Sequence, residues 1–171
     1  SRNRYVYDNR SKVTQEEYKR LLIFGLLSER LSIMYRMVEK TRLDELDHEF
    51  INKVKKYYKE HVKEIFDLVC KDECKFLKYA PTNIVNLVYY TKYVCETWDI
   101  DYDLNITNFV RRELAKRWYS INTRNKEVSN ITQQNVIYGI THTIIGMSEF
   151  YTKKVSMDYM IEANIIKDYV E

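Results

Sequence analysis

Apolar residues recur along this chain at steps of three and four, the spacing that lines one side of an α-helix. Between Thr14 and Lys40, Phe24, Leu27, Leu31, Met34 and Val38 form such a stripe, and Leu22 and Leu26 widen it. That width predicts a first helix, 14 to 40, lying centrally in a bundle. Thr14 followed by Glu17 has the spacing of a capping box, so the helix is expected to start there. A second helix, about 44 to 70, places Leu46, Phe50, Val54, Tyr57, His61, Ile65 and Leu68 on one face. Lys53, Lys56, Lys59, Glu60 and Lys63 occupy the other.

The segment Lys71 to Pro81 interrupts the pattern, and Pro81, Thr82 and Asn83 restart it as a third helix. Ile84, Leu87, Val88, Val94 and Trp98 form its stripe, and it ends near Trp98. An acidic loop, Asp99 to Asn105, leads to a fourth helix capped by Asn105 or Thr107 and carrying Phe109, Val110, Leu114, Trp118 and Ile121. After a polar linker, Thr123 to Asn130, Thr132 caps a fifth helix. Its residues Val136, Ile137, Ile140, Ile144, Ile145 and Met147 carry so few charges nearby that deep burial is expected. Ser156 and Asp158 open a last helix with Met157, Met160, Ile161, Ile165 and Val170. Six helices around one core, residues 14–171, preceded by a basic, loosely ordered arm at residues 1–13, is the expected all-α, single-domain architecture.

Composition supports that picture. Three glycines and one proline in 171 residues are too few for the turns of a many-stranded sheet. A net charge of +3 is too mild to imply a polyanionic partner unless the basic residues cluster. Three cysteines, Cys70, Cys74 and Cys95, are an odd set that argues against a secreted disulfide framework and for a reducing, cytoplasmic setting. The longest apolar runs fall far short of a membrane span, and no signal-peptide pattern is present, so a soluble chain is expected. Sixteen tyrosines with many Ile, Asn and Lys match AT-rich genomes such as those of some large DNA viruses or parasites.

Candidate chemistry is sparse. Asp99, Asp101, Asp103 and Asn105 alternate like the first ligands of a calcium loop, but Leu104 stands where the sharp turn needs glycine and Val110 where the bidentate Glu belongs. An acidic turn ahead of a basic helix is the better reading. Cys70, Cys74, Cys95 and His61 have no recognised zinc spacing and read as structural thiols and a core histidine. His142 reads likewise as a core histidine. No metal and no cofactor is therefore expected.

Arg42 and His48, with Thr41, Asp44 and Glu45 nearby, resemble the Arg-x(4–6)-His element of the HEPN ribonucleases. That resemblance would imply His as general base on a 2′-hydroxyl and Arg as phosphorane stabiliser. A solvated helix start with Arg–carboxylate pairs is the preferred reading. Arg111, Arg112, Lys116 and Arg117 surround Trp118 and Tyr119, and the basic segment continues to Arg124 and Lys126, a mixture suited to phosphate neutralisation with base stacking. Interleaved Glu113 and the core phase of Trp118 favour a solvated face, leaving nucleic-acid binding as the alternative function.

Residues 134–147 (QNVIYGITHTIIGM) and Ile161 to Val170 resemble the buried hairpin of poxvirus Bcl-like immune-evasion proteins. The resemblance implies an intracellular helical bundle that binds host signalling or apoptosis proteins through a groove or a helix-packing face. The Asn-Trp-Gly-Arg signature of cellular groove binders is absent, so no binding position is carried over. The resulting expectation is a non-catalytic protein–protein interaction domain whose partner docks around Tyr57, Tyr58 and Lys59, because aromatic side chains with polar tips make good interface anchors. Tyr89, Tyr90 and Tyr93 are expected to share that role. Self-association is left open.

Overall fold

The computed structural model describes residues 12–38, 42, 45, 48–124, 130–155 and 159–171. Six helices account for most of them: α1 (Lys12–Met37), α2 (His48–Tyr79), α3 (Pro81–Trp98), α4 (Ile106–Arg124), α5 (Asn130–Met147) and α6 (Met160–Val170). The described residues contain no strand, and the all-α bundle stands. Most of the expected arm, the ends of the first two helices including Leu46, the middle of the polar linker, and Ser156, Met157 and Asp158 lie outside the described residues.

The centre of the bundle is α3, packed between α1 and α5 and touching α2 and α4 as well. Its buried residues, from Pro81, Ile84 and Val85 to Val94, Cys95 and Trp98, cover more than half of its circumference. Pro81 sits in the first turn, where its missing N–H costs nothing. The helix ends on Asp99 in the left-handed region (φ 55°), and the Ile100 N–H reaches back to the Cys95 carbonyl at 2.8 Å. This closure, with Ile100 buried behind it, satisfies carbonyls that the helix end would otherwise orphan.

The first helix is not the centre that its wide stripe predicts. Tyr18, Leu21, Phe24, Ser28, Leu31, Ser32 and Tyr35 face inward, whereas Ile23 (64% exposed), Leu26 (57%) and Met37 (80%) face out. Small Ser28 lets the neighbouring helices close in. Its hydroxyl donates to the Phe24 carbonyl (2.8 Å) and lies beside both Tyr58 OH and Thr91 Oγ1, the latter at 2.9 Å. Three buried hydroxyls from α1, α2 and α3 thus satisfy one another. Trp98 packs edge-on against Tyr58 and Tyr35 and donates its indole N–H to Tyr35 OH at 2.8 Å.

The second helix differs from expectation twice. It continues through 71–79, but with Asp72 (φ 49°) and Cys74 (φ 58°) left-handed, so the polar interruption appears as an irregular turn rather than an end. That turn re-phases the buried face, bringing Cys74, Phe76 and Leu77 inward. Earlier in the helix the buried residues are Ile51, Tyr58, Val62, Ile65, Phe66 and Val69, one position on from most of the expected stripe. Phe50 and Tyr57 are exposed. One step rotates a helix by about 100°, and the set with Ile51, Val62, Phe66 and Val69 is buried in place of the set containing Phe50 and His61.

The fourth helix buries Ile106, Val110, Leu114, Trp118 and Ile121, close to the expected phase. Its start is shaped by Asp103, whose carboxylate accepts the Asn105 N–H at 2.9 Å and whose carbonyl accepts the Ile106 N–H at 3.1 Å. The fifth helix is buried on the side facing α3 but leaves Tyr138 half exposed. The last helix contradicts its expected stripe: Met160, Ile161 and Val170 are exposed, and only Glu162 and Ile165 are buried. No helix among the described residues is long and apolar enough to cross a membrane.

Glycine marks where α5 meets α3. A Cβ on Gly146 would lie 2.3 Å from the Tyr89 ring, and one on Gly139 would lie 2.8 Å from Pro81. A Cβ on Gly25 of α1 would instead make ordinary 3.4 Å contacts with Leu87. Gly146→Ala should therefore destabilise the fold by about 1–3 kcal/mol through overpacking. Gly25→Ala should be neutral or stabilising by up to about 1 kcal/mol through helix propensity. Urea denaturation of both variants checks the contrast.

Candidate functional site

The surface expected around Tyr57, Tyr58 and Lys59 does not form as a unit. Tyr58 is fully buried in the hydroxyl cluster, and burial pushes its phenol well above the usual tyrosine range. This is a correction to its expected role as an anchor, and it follows from the one-residue shift in α2. Tyr57 and Lys59 are exposed, with the Tyr57 ring 4.4 Å from His61. Tyr89 is buried, and Tyr90 and Tyr93 are half-buried.

The basic residues of α4 are divided among different tasks. Arg111 forms a two-pronged ion pair with Glu162 of α6, Nε to Oε1 at 2.6 Å and Nη2 to Oε2 at 3.0 Å. The Glu162 side chain is only 3% exposed and that of Arg111 15%, so this pair is internal. Lys116 donates to Glu113 at 2.6 Å. Arg112 is exposed, while Arg117 is half-buried on the side facing α2. Trp118 is core, edge-on to Tyr169 of α6. Arg124 closes α4, but its side chain lies outside the described set, as does Lys126.

Arg42, Glu45 and His48 are exposed, and Thr41 and Asp44 lie outside the described residues. Burial pushes the Cys74 and Cys95 thiols up to about 12, which keeps them protonated and poor nucleophiles. Among the described residues no group of three His, Cys, Asp or Glu side chains is arranged to hold a metal ion. His142 Nδ1 lies 2.8 Å from the Asn86 side-chain oxygen, linking α5 to α3, and burial holds its pKa below the ordinary value.

An open apolar groove of about 800 Å³ lies between α5 and α6. Ile144 forms one wall, and Ala163, Ile166 and Val170, spaced along one side of α6, form the other. Val155 and Tyr159 also line it, together with Lys154, Lys167 and Glu171. Lys167 reaches Glu171 at 3.5 Å. Sequence reasoning missed this groove because it followed Met160, Ile161 and Ile165 into the core. The signal was available as Ala163, Ile166 and Val170 at three and four positions, a second apolar stripe on a short helix. Glu162, in phase with Ile165, Ile166 and Tyr169, marked the buried ion pair.

A strained turn leads into the groove. Glu149 (φ 45°), Phe150 (57°) and Tyr151 (73°) are three consecutive left-handed residues. Each costs about 1–2 kcal/mol relative to ordinary backbone. The turn is held by the Phe150 N–H on the Ile145 carbonyl (2.9 Å) and by Ser148, whose hydroxyl donates to the Ile145 carbonyl and accepts the Tyr151 N–H. Phe150 also stacks on Tyr90 with ring centres 4.1 Å apart, and the Arg36 guanidinium sits 4.6 Å from the Phe150 centroid. Lys154 and Val155, which line the groove, follow this turn in the chain.

No family model, curated protein or solved structure matches this chain.

Two outcomes follow from the site. Glu162→Gln leaves the Arg111 guanidinium buried without its countercharge, so it should cost about 3 kcal/mol or more, measured by chemical denaturation. The Ile166 and Ala163 methyl resonances should shift in the same variant as α6 loosens. His142 binds a proton less readily folded than unfolded, so the unfolded chain takes up more protons as pH falls through the ordinary value of 6.5. Stability should decline with falling pH from that point, and His142→Gln should flatten that part of the pH–stability curve.

Proposed function

We propose that this chain is a non-catalytic helical interaction domain, and that its partner is an amphipathic helix of another protein seated in the groove between α5 and α6. The observation carrying this reading is the groove itself, an open concavity lined by aliphatic residues from two helices and flanked by lysines. Apolar surface of this kind gains stability when a complementary apolar face removes it from water, and helix-in-groove docking is a common way to do so. Lys154 and Lys167 favour a partner whose apolar face is bordered by acidic residues. The likeness of residues 134–147 and 161–170 to the poxvirus Bcl-like hairpin falls on the same two helices. It extends the proposal to a host signalling or apoptosis protein as the partner.

A panel of amphipathic helical peptides, with acidic and with basic flanks, tests this by titration against the methyl resonances of Ile144 and Ile166. Saturable shifts with the acidic-flanked members are expected, with roughly tenfold or greater weakening in Ala163→Glu. Tyr57→Ala should bind as the unaltered chain does. Peptides that leave the groove methyls unmoved, or that lose affinity in Tyr57→Ala and not in Ala163→Glu, would refute the assignment.

A further inference from the structure

The turn after α5 holds a shape that its own residues do not favour. Glu149, Phe150 and Tyr151 are left-handed in succession with no glycine among them, whereas L-residues adopt that region singly and seldom in a run. Tyr151 is 79% exposed, so packing of its own side chain does not offset the cost. Local hydrogen bonds shape the turn: the Glu149 N–H donates to the Gly146 carbonyl at 3.0 Å, and the Thr152 and Lys153 N–H groups donate to the Ser148 carbonyl at 3.0 and 2.9 Å. Each of these joins α5 and the turn to themselves, and each would be exchanged for a bond to water if the turn opened.

Phe150 ties the turn to the rest of the bundle. Its ring lies 4.1 Å from that of Tyr90 on α3, within 6° of parallel, and 4.6 Å from the Arg36 guanidinium carbon of α1. Stacking and cation–π attraction both require the ring to be seated there, and the ring is seated only while the backbone beneath it keeps its left-handed course. Ring contact and strained backbone therefore persist together or are lost together. The turn is a two-position element, held in one position by a single aromatic side chain.

The same stretch of chain supplies part of the groove between α5 and α6, since Lys154 and Val155 line it and follow the turn. We propose that Phe150 is a latch on the groove. Seated against Tyr90 and Arg36, it keeps Val155 in the lining; withdrawn, it lets the turn relax to ordinary backbone and the groove lose that part of its wall. Docking is then conditional on contacts made at α1 and α3, away from the groove itself. The regulatory role rests on the reading of the groove as a docking site, whereas the latch is tested with no partner present.

Trypsin reads the latch, because cleavage after Lys153 and Lys154 requires the turn to open and, when reclosing is fast, its rate follows the open population. Followed bond by bond by mass spectrometry on the full chain, cleavage at these two sites should rise roughly threefold to tenfold in Phe150→Ala. In Arg36→Gln it should rise about twofold to fivefold. Cleavage after Lys92 of α3 should be unchanged in both. Tyr151→Gly should slow cleavage at the turn severalfold, since glycine takes a positive φ without steric cost. The Val155 methyl resonances should move in the first two variants and stay in place in the third. Unchanged cleavage in Phe150→Ala, an equal rise after Lys92, or faster cleavage in Tyr151→Gly overturns the proposal. Should Phe150→Ala not fold, Arg36→Gln and Tyr151→Gly decide by moving in opposite directions. An acidic-flanked amphipathic peptide should slow cleavage after Lys154 in the unaltered chain. If it does not, while the variants behave as expected, the latch stands and the docking reading falls.

Discussion

Close approach of α1 and α5 to α3 is the constraint on which the remaining packing depends. A helix enclosed on nearly every side can be reached only where its neighbours present small residues, and they do so with Gly25 and Ser28 on α1 and Gly139, Thr143 and Gly146 on α5. Placing polar residues in such a seam costs about 1–3 kcal/mol for each unsatisfied hydroxyl. The cluster of Ser28, Tyr58 and Thr91 avoids that cost by mutual hydrogen bonding, and Thr143 avoids it by bonding the Gly139 carbonyl at 3.0 Å. The same hydroxyls fix the rotation of α1 and α2 about α3, since only one phase of each brings the oxygens together.

Once α3 is enclosed, the apolar residues left over have no described helix to meet. On α1 they form an outward row through Ile23, Leu26 and Met37, and on α5 and α6 they line the groove. Two of the concavities differ in their chemistry. Mostly aliphatic residues with two lysines line the groove between α5 and α6, and a mixture of apolar and charged residues lines the pocket between α2 and α4. The Arg111–Glu162 pair fixes α6 to α4 and removes Arg111 from the exposed basic residues.

Periodicity made the helices legible and their phase only partly so. The fourth helix was clear because Val110, Leu114, Trp118 and Ile121 have no rival stripe. In α2 two stripes one residue apart compete, and single-chain periodicity cannot weigh Tyr58 against Tyr57 when both are tyrosine. Burial of Tyr58 is decided by Ser28 and Thr91, distant in sequence, which is why its expected surface role failed. The irregular turn at Asp72 and Cys74 was visible as a polar interruption, yet its continuation as helix depends on Phe76 stacking with Tyr18 at 5.9 Å. The candidate groove was hidden for a related reason. Ala163, Ile166 and Val170 look like any amphipathic face until the absence of a described helix opposite them is known. Splitting of the basic residues of α4 was equally invisible, because it depends on which partner helix each one meets.

Eleven residues make up α6, a length at which a helix alone in water is marginal. Its inward attachment rests on Ile165, the Glu162 carboxylate and the Tyr169 ring edge. Such an element is free to open while the remainder of the bundle stays folded, as a separate cooperative unit with a lower opening free energy than the core. One wall of the groove would leave with it. A ligand seated there would slow amide exchange throughout α6 and scarcely touch that of α3, so occupancy would be registered as rigidity in a single short segment.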